Sequence, residues 1–295
     1  MAAGSTLGDA DLALRAAKQG GRDRIARYDA GLRAEQTSRA RIAEGLRNAL
    51  ADGSLHLQYQ PVVDVATGRM TGVEALMRWN RPEGPISPGE FIPVAEQAGL
   101  IGVLGAFALR TACREATRWW RRHGVYVTVN VSSHQLRDPD FAGAVLAVLS
   151  ETGLPAEALV LEITESVLID AEDAQEHLRT LRAHGVRIAI DDFGTGYSSL
   201  AYLHLLPVDI LKIDRTFISR HQDPPRPRDV RFTRAILEMA ASQRLTAVAE
   251  GVETPAQADL LRDLRCPLAQ GYHFSRPVDP ETIDARLAQT ATTAI

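Results

Sequence analysis

The sequence predicts an α/β fold, a modified (βα)8 barrel with an antiparallel strand near its start and helices ahead of it. Three observations carry this prediction. From Leu55 onward, strand-like and helix-like segments alternate with short connections, eight strands against seven or eight helices. An open doubly wound sheet would want a glycine-rich phosphate loop after its first strand, and none is present. The Leu55 and Thr71 strands have only a short turn at Thr67-Gly68 between them. They are therefore expected to be antiparallel, since a parallel pair needs a long crossover. The 295 residues, 45% of them hydrophobic, suffice for a large core, and barrels of about 250 residues are commonly one domain.

In chain order, residues 1–6 read as a disordered start. Ala10-Asp-Leu-Ala-Leu-Arg-Ala-Ala-Lys-Gln-Gly-Gly-Arg-Asp-Arg-Ile25 reads as one helix ended by Gly20-Gly21. It is too small for a core of its own, and it resembles the C-terminal tail of a diguanylate cyclase (GGDEF) domain. Arg15 stands where that family commonly has tyrosine. The cyclase signature itself is absent, so that resemblance implies no cyclase activity. Residues 30–53 carry Leu32, Ile42, Leu46 and Leu50, the last three stepping by four along one face, and read as an amphipathic helix ended by Asp52-Gly53, a linker between domains or else an ordinary N-terminal helix packed on the barrel. The barrel domain is placed at 54–290.

Within it, Leu55–Pro61 alternates and is expected to stop at the proline, and Thr71–Trp79 is the second strand. A helix is expected from about Ala95 to Arg122, stopping near Gly124. Val125–Val131 alternates. A helix from about Asp138 ends at Gly153, and Leu159–Thr164 is a strand. A helix from about Ala171 ends near Gly185, and the apolar run Ile188-Ala-Ile190 follows as a buried strand. Ser198–Leu205 reads as a short helix halted by Pro207, Ile210–Ile213 as a strand and Arg228–Gln243 as a helix. Thr246–Ala249 is a strand, Thr254-Pro255 caps the next helix, Pro267–Gln270 is the last strand, and Pro280 opens the last helix.

The net charge of −4 argues against a general binder of nucleic-acid polymers or of membrane surfaces. Two cysteines, Cys113 and Cys266, stand far apart in no metal-ligand spacing, which suits a reduced, cytoplasmic compartment. No apolar run reaches the length of a membrane span and no signal peptide is visible. Of the 33 Lys plus Arg, only Lys18 and Lys212 are lysine. A lysine in Ile210-Leu-Lys-Ile-Asp214 therefore suggests a need for a compact ammonium rather than a guanidinium fork.

Polar residues stand at the end of strand after strand: Glu74, Asn130, Glu162, Asp191 with Asp192, Lys212, Glu250 and Gln270. In a barrel these converge on one rim, where active sites sit. Carboxylates, amide oxygens and one ammonium suit Mg²⁺ or Mn²⁺ rather than zinc, because no His or Cys cluster accompanies them. Asp191 and Asp192 are adjacent, so they can share a site only where the strand ends and the backbone turns. Two such carboxylates repel unless a cation sits between them, and a bridged ion pair would serve a phosphoryl displacement.

Glu74-Ala75-Leu76 and its surroundings resemble the EAL domain over roughly Leu46–Pro277. The matching segments include Tyr59-Gln-Pro61, Val73-Glu-Ala-Leu-Met-Arg-Trp79, Val129-Asn-Val-Ser132, Leu161-Glu-Ile-Thr-Glu-Ser166, Asp191-Asp-Phe-Gly-Thr-Gly-Tyr-Ser-Ser199, Leu211-Lys-Ile-Asp-Arg215, Ala249-Glu-Gly-Val-Glu-Thr254 and Ala269-Gln-Gly-Tyr272. EAL domains are cyclic-di-GMP phosphodiesterases that release linear 5′-pGpG. The resemblance implies two ions, the first on Glu74, Asn130, Glu162 and Asp191, the second on Asp191, Asp192 and Glu250. It implies that Lys212 orients the attacking water, that Gln270 supports the ion–water shell, and that Glu165 braces the loop from Phe193 to Ser199. Gln60, Leu76, Arg78 and Asp214 are the implied substrate contacts. A homodimer through the loop and helix after Asp192 is also implied. The alternative function is a non-catalytic cyclic-di-GMP receptor or regulatory interaction domain.

Overall fold

The computed structural model describes residues 14, 30–164, 172–193, 206–219 and 226–292. The chain divides into a unit of residues 1–55 with 79–100 and a unit of residues 56–78 with 101–295. The expected cyclase-like tail, the short helix at Ser198–Leu205 and the loop after Phe193 lie outside the described residues, Leu14 excepted.

The larger unit is a closed barrel. Its strands are β1 (Leu55–Asp64), β2 (Met70–Arg81), β4 (Tyr126–Asn130), β5 (Leu159–Thr164), β6 (Arg187–Phe193), β7 (Ile210–Ile213), β8 (Thr246–Ala249) and β9 (Leu268–Gln270). Neighbours run β1-β9-β8-β7-β6-β5-β4-β2, and a β1–β2 pairing closes the ring. β9 is parallel to β8, and parallel pairing continues around to β2. β1 alone is reversed, pairing antiparallel with β9 in the register Val62↔Gln270. The turn that permits this is tight: Asp64 Oδ1 accepts from the Thr67 backbone N–H and hydroxyl, both at 2.7 Å, and Gly68 takes φ +71°.

β1 does not stop at Pro61 but continues through it to Asp64. A proline lacks only its own donor and its φ suits extended backbone, so an irregularly placed strand tolerates it. Helices α3 (Ile101–His123), α4 (Phe141–Thr152), α5 (Glu172–Ala183), α6 (Arg215–Ser219), α7 (Pro227–Ser242), α8 (Pro255–Asp263) and α9 (Pro280–Thr292) belong to this unit. The α8 start is a capping box, with Thr254 accepting from Gln257 N–H and Gln257 reaching back.

The alternation along each strand sorts side chains into two apolar sets. One face, including Val73, Val127, Leu161, Ile190, Leu211 and Ala249, joins the cluster shared with the helices. The other face supplies Val62, Tyr126, Val160, Ala189, Ile210 and Val248, which cluster with one another and plug the lower barrel. A Cβ at Gly72 would overlap the Tyr126 ring, so the plug needs glycine there.

In the smaller unit, helix α1 (Ala30–Asp52) buries Ile42, Leu46 and Ala49. Helix α2 (Pro88–Gln97) buries Phe91, Val94 and Ala95, and α1 packs against it. The expected single helix from Ala95 to Arg122 is thus two, broken where Gly99 takes φ +69°. Trp79–Arg81 pairs antiparallel with β3 (Gly84–Ile86), a short strand that the alternation pattern did not reveal.

Candidate active site

Two residues beyond the plug residues, Tyr126 excepted, on the same face, the chemistry changes. Val62 gives way to Gln60 on the reversed β1, Val160 to Glu162, Ile210 to Lys212, Val248 to Glu250 and Leu268 to Gln270. Glu74, Asn130 and Asp191 complete the layer from β2, β4 and β6. The barrel therefore holds a polar layer stacked on an apolar one.

Lys212 stands at the centre, 4% exposed. Its Nζ contacts Glu162 Oε1, lies 2.7 Å from Glu250 Oε1, 3.4 Å from Asp191 Oδ1 and 3.5 Å from Glu74 Oε2. Burial alone would lower the ammonium's pKa, but the four carboxylates, Glu162 first, outweigh it and hold the group charged, well above the usual lysine range. One positive charge cannot offset four negative ones. Burial, with repulsion from Glu74 next, drives Glu162 well above the ordinary carboxylate range. Burial also raises Glu250, to about 8, against the opposing pull of Lys212.

The residues fit a divalent cation. One oxygen each from Glu74, Glu162 and Glu250 lie within 4.8 Å of one another. Among the described residues, Glu162 Oε2 and Gln270 Oε1 are buried with no hydrogen-bond partner, a costly arrangement for acceptors. Hard oxygen donors of this kind suit Mg²⁺ or Mn²⁺. Asn130 Nδ2 donates to Glu74 Oε1 at 2.9 Å, which leaves Oδ1 as the atom an Asn130 ligand role would use.

The expectation for Asp191 and Asp192 needs correction. Both lie within β6, not past its end. Ile190 pairs with Leu211 and Phe193 with Ile213, so two residues of β6 stand opposite Lys212 alone. This bulge interrupts the alternation that would otherwise separate adjacent side chains. The Asp192 side chain and all of Glu165 lie outside the described residues.

A cleft of about 290 Å³ opens beside the polar layer, lined among others by Gln60, Glu74, Leu76, Asp214, Glu250 and Gln270. Asp214 is also used locally, accepting from the Thr216 N–H at 2.9 Å. Arg78 is half-buried, with Nε on Gln58 Oε1 and Nη1 on the Met77 carbonyl, each at 3.0 Å. Gly251, Gly271, Tyr272, Arg215 and Glu253 also line the cleft and were not anticipated. The signal was a glycine immediately after each of two site residues. A Cβ at Gly271 would overlap the Val252 backbone, and one at Gly251, where φ is +64°, would overlap Arg215.

A closed barrel with an acidic cluster at one end beside a cleft defines a class of α/β barrel proteins whose site sits on one rim. Within that class, the EAL-domain family profile matches residues 43–277, and the chain belongs to the EAL family. The match does not reach residues 9–29. The chain is 41% identical to the PaMucR phosphodiesterase in its c-di-GMP complex, with a TM-score of 0.77 over 82% of this chain and 99% of that one. The EAL domain of Mycobacterium smegmatis DcpA is 38% identical, with a TM-score of 0.67 over 80% and 97%. An uncharacterized protein of Sinorhizobium fredii, y4lL, is 44% identical over 272 residues, 91% of this chain and 32% of y4lL. The chain spans less than half the length of the first curated relatives it matches. None of the described helices is long and apolar enough to cross a membrane.

Proposed function

We propose that this chain hydrolyses cyclic-di-GMP to linear 5′-pGpG, using two divalent cations, Mg²⁺ or Mn²⁺. The observation that carries this reading is the cluster of buried Glu74 and Glu162 and part-buried Glu250 and Asp191 around one ammonium, with acceptor atoms left over among the described residues. Glu74, Asn130, Glu162 and Asp191 would hold one ion, and Asp191, Asp192 and Glu250 the other. When bound, the ions supply Lewis acidity, offsetting charge on the phosphoryl group and acidifying the attacking water.

The chain's own residues do the rest. Lys212 keeps its proton and directs an N–H at the attacking water, fixing its approach to phosphorus in line with the departing 3′ oxygen. The water oxygen bonds to phosphorus as the P–O3′ bond breaks, leaving a 5′ phosphate and a free 3′ hydroxyl. Gln270 offers an amide oxygen to the same shell. Leu76, Arg78 and Asp214 would face the dinucleotide, with the Arg78 fork suited to phosphate. The loop and helix after Asp192, braced by Glu165, would form a homodimer contact. Residues 9–29 would be the end of a cyclase-like domain, and this chain would work in the cytoplasm, including where a parent protein is anchored to a membrane.

The test is turnover of cyclic-di-GMP by this chain with Mg²⁺, Mn²⁺ or EDTA, reading 5′-pGpG by chromatography. Metal-dependent product is expected, and Glu74→Ala or Asp191→Ala should abolish it with circular dichroism unchanged. Wild-type rates in either folded variant would overturn the two-ion assignment. Tight binding without product in any metal would instead mark a receptor.

A further inference from the structure

Gln60 on β1 and Gln270 on β9 form a hydrogen-bond relay whose direction is forced by its two ends. The Ser275 backbone carbonyl can only accept, so the Gln60 atom 3.1 Å from it is Nε2. Gln60 Oε1 is thereby turned toward Gln270 and accepts from its Nε2 at 2.9 Å. That same nitrogen donates to Glu74 Oε2 at 2.7 Å, again an atom that can only accept while ionised. Both hydrogens of the Gln270 amide are then committed. Its Oε1 is left on the other side, buried and, among the described residues, with no hydrogen-bond partner. Turning the amide over would set oxygen against oxygen at both contacts in a site where Gln60 and Gln270 are 8% and 4% exposed.

We infer that Gln60 is a positioning residue that holds the Gln270 amide so that Oε1 is presented to the cation cluster, rather than the substrate contact its sequence motif implies. Glu74 cannot do this alone. A carboxylate drawn onto a cation gives up lone-pair density, which weakens its hold on Gln270, whereas among the described residues Gln60 Oε1 accepts from Gln270 alone. The inference rests on the cation reading above.

Mn²⁺ titrated into the metal-free full chain, with free ion followed by EPR, tests it without reference to turnover. The variants are Gln60→Met, Gln270→Met, the double variant, and Gln60→Glu, whose oxygen still accepts from Gln270. Gln60→Met is expected to weaken Mn²⁺ binding about tenfold, the usual scale for residues that orient a ligand. Gln270→Met should weaken it at least as much, the double variant no more than Gln270→Met alone, and Gln60→Glu less than Gln60→Met. Unchanged binding in Gln60→Met overturns the inference, and so do losses that multiply in the double variant, since Gln60 would then act on its own. If Gln60→Met does not fold, Gln60→Glu decides: binding near wild type supports the relay, and binding as weak as in Gln270→Met overturns it. A wild-type chain that takes up no Mn²⁺ overturns the cation reading and the inference with it. Normal uptake with an unaffected Gln60→Met sinks the inference alone.

Discussion

Ile210 and Lys212 stand two residues apart on β7, share the inward face of the barrel, and are both nearly inaccessible to water. Ile210 meets Val62, Tyr126, Val160, Ala189 and Val248, and burying a side chain of its size contributes about 1.5–3 kcal/mol. Lys212 meets four carboxylates, and each of those charges costs several kcal/mol to bring out of water. The same strands thus carry a layer that stabilises the fold and, one step along, a layer that works against it. A fold has no use for the second layer as packing. Its retention at the strand ends, where the barrel opens into the cleft, is what identifies it as the working part of the molecule.

The largest effect should come from removing the charge at the centre of the upper layer. Lys212→Met leaves the carboxylates without their ammonium, and breaking a buried pair in this way typically costs about 3–5 kcal/mol. Urea unfolding in EDTA should show that loss, cyclic-di-GMP turnover should disappear, and Mn²⁺ should restore part of the stability. An unfolding midpoint that stays at the wild-type value in EDTA would mean the upper layer is not under electrostatic strain.

The matching perturbation of the lower layer is Gly72→Ala, whose Cβ meets the Tyr126 ring. Overpacking of this kind costs about 1–3 kcal/mol. The urea midpoint should fall while Mn²⁺ affinity stays as it was, because the plug and the cluster are separate layers. Loss of Mn²⁺ affinity in folded Gly72→Ala would show that the two layers are coupled.

These layers were unequally legible in the sequence. Glu74, Glu162, Lys212, Glu250 and Gln270 could be picked out because each interrupts or follows the apolar residues of a strand, and the short Thr67-Gly68 turn was enough to reverse β1. The bulge in β6 at Asp191 and Asp192 could not be read, because it is defined by the register with β7, some twenty residues further along the chain. The direction of the Gln60–Gln270 relay depends on a carbonyl at Ser275, far away in sequence. Breaks such as Gly99 and the Gly84–Ile86 strand are set by local backbone geometry that a periodicity of apolar residues does not encode.

A smaller effect contrasts the two rims. On the site side, Thr254 caps α8 just after Glu250 and accepts from the Gln257 N–H at 3.3 Å. Thr254→Ala should cost about 1 kcal/mol, the usual loss for an N-cap, measured as a lower melting temperature. Because Glu253 and Gly251 of the same segment line the cleft, KM should rise as well. A stability loss with KM untouched would show the cap to be purely structural.

The smallest effect is expected on the opposite rim, where the strands begin. Arg244 and Arg265 both take left-handed conformations, at φ 59° and 57°, as α7 and α8 end. In each case the next residue closes the helix by a long-range turn, Leu245 N–H to the Ala240 carbonyl and Cys266 N–H to the Leu261 carbonyl, both at 2.9 Å. That is the helix stop at which glycine is usual. Arginine there carries a left-handed strain of about 1–2 kcal/mol. Glycine would relieve it, less roughly 0.5–1 kcal/mol of extra chain entropy and a few tenths for lost charge at a helix C-terminus. Arg265→Gly should therefore raise stability by only ~0.5 kcal/mol, or about 1–2 °C in melting temperature for a chain of this size. The same substitution should leave Mn²⁺ affinity and turnover at wild-type values, since among the described residues no hydrogen bond or ion pair links Arg265 to the polar layer. A lowered melting temperature would show that the arginine charge at the helix end outweighs the strain, and a change in turnover would show that the strand-entry rim is coupled to the site.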